Sequence, residues 1–84
     1  MKKMSEEARA GLIEAVEKQI EANDPAETKQ TFERLSKLGY SDYDCKGLIT
    51  QCLAIEIYEI MQDGKPFNPE RYAKNLAKLP GSLI

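Results

Sequence analysis

The residue best placed to do chemistry is Glu56. At about 100° per residue on a helical wheel, it falls near the middle of a broad apolar arc with Ile49, Cys52 and Ile60. Glu59 lies toward the edge of the same arc. Burying a carboxylate without partners is costly, so Glu56 must be paired, neutralised or wet. Its functional reading is a general acid/base or a carboxylate ligand; its structural reading is a carboxylate held by hydrogen bonds. The chain contains no histidine, and no second carboxylate stands at a clear metal-ligand spacing. A metal site made of Glu56, Glu59 and Cys52 would mix hard and soft ligands without a recognised pattern. These facts favour the structural reading, and no cofactor or metal is expected.

Two cysteines, Cys45 and Cys52, stand seven apart in one predicted helix. Two turns put them on one face but about 10 Å apart along the axis, too far for a mutual disulfide. They read as small buried hydrophobes in a reducing compartment. The sequence has no glycine-rich phosphate loop, catalytic triad or zinc-ligand cluster. Gly39-Tyr40-Ser41 between two helices could be the turn of a helix-turn-helix. The recognition helix would then open with Asp42, Tyr43 and Asp44, the wrong charge to meet phosphate. The basic residues near the end, Lys65, Arg71, Lys74 and Lys78, read as a solvated face.

Four helices must position these groups. Ser5 is an N-cap with Glu6 and Glu7 in the first turn, and Leu12, Ile13, Val16 and Ile20 follow at helical spacing. Asn23-Asp24-Pro25 ends that helix and starts the next, with Asp24 and Glu27 forming a capping box and Pro25 at the first helical position. Thr28, Phe32, Leu35 and Leu38 carry the second stripe, and Gly39 supplies a left-handed stop. Ser41 caps a long third helix whose apolar set is wide: Cys45, Leu48, Ile49, Cys52, Leu53, Ile55, Ile57, Ile60 and Met61. Such a stripe suits a central helix touched by several neighbours. Asn68-Pro69 opens the fourth helix, with Phe67 stapled on Tyr72, and Pro80-Gly81 stops it. The expectation is an all-α, compact four-helix domain with a long central third helix, the helices lying near 6–22, 25–38, 42–62 and 69–78.

The stretch 23–80 resembles a small uncharacterised prokaryotic all-helical domain family, sometimes associated with zinc-binding SEC-C motifs. The resemblance rests on Asp24-Pro25-Ala26-Glu27, Arg34-Leu35, Leu38-Gly39-Tyr40-Ser41, Glu56-Ile57-Tyr58-Glu59, Gly64-Lys65-Pro66-Phe67 and Arg71-Tyr72. It implies a fold and no established activity. Members of the family often carry histidines soon after the Gly-Tyr-Ser turn; Tyr43 and Gly47 stand at those places here, so no metal or acid–base role carries over.

The totals bound the function. At 84 residues one domain, 1–84, is expected, near the size where a single core is only marginally sufficient. Twelve Lys/Arg against fourteen Asp/Glu argue against bulk attraction to nucleic acid or anionic lipid. No apolar run approaches a membrane span, and Met1-Lys2-Lys3-Met4 leads into Ser5-Glu6-Glu7 where a signal peptide needs an apolar stretch. A cytoplasmic location is therefore expected. The apolar tail Leu79-Pro80-Gly81-Ser82-Leu83-Ile84 and the wide third stripe suggest a contact surface. The sequence thus points to a protein-interaction or assembly module, most simply a homo-oligomer, with Ile55, Ile57 and Met61 as candidate interface residues. The alternative is a small-ligand or catalytic domain centred on Glu56. Counting along the helices brings Glu56 level with Thr28, Arg71, Tyr72 or the start of the second helix, which supply the donors expected to hold it.

Overall fold

The computed structural model describes residues 5–64 and 66–81. Lys65 of the basic end and Ser82, Leu83 and Ile84 of the apolar tail lie outside these residues, as does the run Met1–Met4. Among the described residues the chain forms four helices and no strand: α1 (Glu6–Ala22), α2 (Ala26–Lys37), α3 (Asp42–Asp63) and α4 (Pro69–Lys78). No helix of the structure is long and apolar enough to cross a membrane.

Local chemistry sets most of the helix ends. Ser5, Ser41 and Asn68 each accept a hydrogen bond from the backbone N–H three residues on, at 3.1, 3.1 and 3.0 Å. Each thereby satisfies one of the orphan donors of a first turn. At the end of α2, Gly39 has a φ of +102°. Its N–H reaches the carbonyl of Ser36, and that of Tyr40 reaches Leu35, a complete Schellman motif.

The α1–α2 junction corrects the expected capping box. Asn23 takes the left-handed conformation, and the N–H groups of Asn23 and Asp24 bond the carbonyls of Ile20 and Gln19. Asp24 is thereby committed to closing α1. The N-cap of α2 falls on Pro25, with no side-chain cap, and the first helical residue is Ala26.

The core consists of Val16, Leu35, Cys45, Ile49, Cys52, Leu53, Tyr72, Leu76 and Leu79, with Leu12, Ala15, Ile20, Phe32 and Leu48 packed around it. Leu38, expected on the α2 stripe, lies past the end of that helix and is 59% exposed; Thr31 takes a buried place instead. The third helix packs against the other three, and α4 also packs on α2. α1 and α4 meet only through side chains. Burial along α3 is uneven. Its buried residues run from Cys45 to Glu56, and none follows in the last two turns.

Candidate functional site

Glu56 is the last buried residue of α3, with no accessible surface. Its carboxylate takes three hydrogen bonds from the start of α4. Arg71 Nε donates to Oε2 at 2.6 Å, Arg71 Nη2 donates to Oε1 at 3.0 Å, and the backbone N–H of Asn68 donates to Oε1 at 3.0 Å. The two guanidinium bonds form a fork, which adds directionality to charge. The third comes from the N-cap residue, where the helix dipole favours a negative charge. These bonds hold the Glu56 carboxyl below its ordinary range. The Arg71 hydrogen bonds are the largest cause, burial opposes them, and the Asn68 N–H and the Arg71 charge add to the lowering.

The opposite end of α4 is held by the complementary charge. Arg34, on α2, donates from Nη1 to the carbonyl of Leu79 at 2.7 Å and from Nη2 to that of Leu76 at 3.0 Å. A cation at a helix C-terminus again matches the dipole. The fourth helix is therefore clamped between a carboxylate of α3 at its start and a guanidinium of α2 at its end. Sequence reasoning did not find Arg34 in this role. A cation late in α2 has no local mark of a partner more than forty residues away.

Thr28 and Tyr72 are both buried, and they join a different network from Glu56. The Thr28 hydroxyl and the Tyr72 phenol each donate to Oε1 of Gln19 at 2.9 Å, and the two oxygens lie 3.4 Å apart. This network ties α1, α2 and α4 together around one amide. The N-terminus of α2 does not reach Glu56; the helix start that does is that of α4. Phe67 meets the Tyr72 ring edge-on at 5.5 Å between centroids, so the staple and the carboxylate fix the entry to α4 together.

The cysteines are free and buried. Burial pushes the Cys52 thiol up to about 11, which leaves it protonated and unreactive near neutrality. Among the described residues, no group of three or more metal-ligating side chains converges.

The candidate interface residues divide by exposure. Ile55 is half-buried, whereas Ile57 is 37% and Met61 78% exposed. Tyr58 and Ile60 are exposed beside them. Comparisons with protein-family models, curated proteins and solved structures give no match. The functional reading rests on the chain's own geometry.

Proposed function

We propose that this chain is a protein-interaction module that self-associates through the last two turns of α3. The observation that carries the reading is a stretch of helix with no buried residue and four exposed large apolar residues, Met61 and Tyr58 more than half exposed and Ile57 and Ile60 about a third. Ile57, Ile60 and Met61 stand at i, i+3 and i+4 and so share one face. Water-exposed apolar surface concentrated in this way marks an interaction site. A second copy is the occupant this face fits. A helix stripe is self-complementary about a two-fold axis, and a chain with so small a core is stabilised by covering it.

The state of Glu56 supports this reading over a catalytic one. A general base must reach a substrate proton and hold an available lone pair. The Glu56 carboxylate has no exposed surface and is bonded on both oxygens by α4. The family resemblance over 23–80 bears on the fold and adds no activity.

Sedimentation equilibrium on the wild type and on Met61→Asp and Ile57→Asp tests the proposal. The wild type is expected to fit a dimer at micromolar concentration, and both variants a folded monomer. A wild type that stays monomeric to millimolar concentration would remove the basis for self-association. Dimers unchanged by either substitution would place the interface elsewhere.

A further inference from the structure

We infer that Arg9 and the α3 surface around Gly47 form a binding notch for a carboxylate. Arg9, on α1, is half-buried, and its guanidinium points its Nη2 end at α3 beside Gly47. Its Nη2 sits 2.8 Å from the place a Cβ on Gly47 would occupy. Any side chain at position 47 would therefore push the guanidinium away. Glycine is the poorest helix former after proline, and here it stands in the interior of the longest helix, buried beneath Arg9.

The position is costly for the helix, and no bond explains it. The ion pairs of the described residues are Lys18–Glu14, Lys46–Glu17 and Arg71–Glu56; Arg9 belongs to none of them. A guanidinium seated on backbone, with its donors unspent among the described residues, opens instead into a cleft. That cleft is lined by Arg9, Tyr40, Asp44, Gly47, Leu48 and Gln51. Gln51 and Tyr40, whose side chains each carry a donor, are among the lining residues.

The chemistry selects the ligand. The planar fork of an arginine matches the two oxygens of a carboxylate. Asp44, which also lines the cleft, brings one negative charge to it. It disfavours a dianionic phosphate more than a singly charged carboxylate. The notch thus fits either a free small carboxylic acid or the acidic side chain of a peptide. Both offer the same group to Arg9.

Titration by NMR, following the Arg9 Nε–H, the Gly47 amide and the Gln51 side-chain amide, tests the inference. The probes are succinate, N-acetylglutamate N-methylamide and inorganic phosphate. Saturable shifts confined to these groups are expected with at least one carboxylate. Binding should weaken about tenfold or more, a loss of roughly one charge-assisted contact, in both Arg9→Gln and Gly47→Ala. The second variant keeps the charge and displaces it, so it separates a seated arginine from a merely basic surface. Asp44→Asn should tighten carboxylate binding. The stronger of the two carboxylates identifies the source as a free acid or a peptide side chain. Three results would overturn the inference: no saturable shift with either carboxylate, equal affinity in Gly47→Ala and wild type, or tighter binding of phosphate than of both carboxylates. Backbone spectra of each variant check that the fold is kept.

Discussion

Replacing Glu56 by glutamine keeps the shape of the side chain and removes its charge. The wild-type carboxylate accepts from three N–H groups, two on Arg71 and one on Asn68. A glutamine has one accepting oxygen. Placed at the Oε1 position it can keep the bonds from Asn68 and Arg71 Nη2, but its own NH2 then faces Arg71 Nε, which stands 2.6 Å from the present Oε2. Turned the other way it keeps the Nε bond and sets its NH2 against two donors. Either orientation loses at least one charge-assisted bond and sets donor against donor at a side chain with no accessible surface of its own, although Arg71 keeps part of its side chain in solvent. Such a loss costs about 2 kcal/mol, which for a domain of this size lowers Tm by roughly 8–16 °C. Thermal unfolding followed by helical circular dichroism, with urea unfolding as a check, measures it. Amide exchange should accelerate first in α4, since that helix loses its N-terminal anchor. A Glu56→Gln protein within about 0.5 kcal/mol of wild type would refute the reasoning. It would mean that the desolvation of the carboxylate cancels its three bonds.

The same carboxylate makes stability depend on pH. Its folded-state pKa lies below the ordinary 4.5, so the unfolded chain takes up the proton first as pH falls. The stabilisation is full above that ordinary value and is lost as pH falls through the folded-state value. The urea midpoints of wild type and Glu56→Gln should therefore differ at pH 7 and converge at strongly acidic pH. Arg34→Ala should cost about 1–2 kcal/mol by freeing two helix-end carbonyls, with exchange accelerated at the C-terminal end of α4, a pattern that residue-resolved hydrogen exchange detects. Gly47→Ala should leave thermal stability unchanged or raise it by up to about 1 kcal/mol, because the only close obstacle is the flexible end of Arg9. Cys52, with its thiol pushed up to about 11, should resist alkylation at pH 8 in the native protein and react in urea.

Much of the fold is legible in single residues because helix ends are local events. Ser5, Ser41 and Asn68 act within three positions of themselves, and Gly39 within four. The Asp24 cap misled for a physical reason. The same residue can open one helix or close the previous one, and the left-handed turn at Asn23 claims it for closure. Glu56 stands on an apolar arc in the sequence and is buried in the structure, since helical periodicity carries that information directly. Its partners depend on how α4 docks. Arg71 was legible as a candidate, whereas the Asn68 N–H was not, because nothing in the sequence says which helix start comes level with Glu56. Gln19, Arg34 and Arg9 lay beyond reach altogether. Their roles exist only once α1 or α2 meets an element distant in the chain.

The exposed stripe of α3 carries the functional proposal, and contact across it between two chains can be observed directly. In an equimolar mixture of isotope-labelled and unlabelled protein, filtered NMR spectra report only contacts between different molecules. Self-association through the end of α3 predicts intermolecular cross-peaks from the Met61 methyl group to Ile57 or Ile60 of the second copy. Narrow monomer lines at millimolar concentration without such cross-peaks would contradict it.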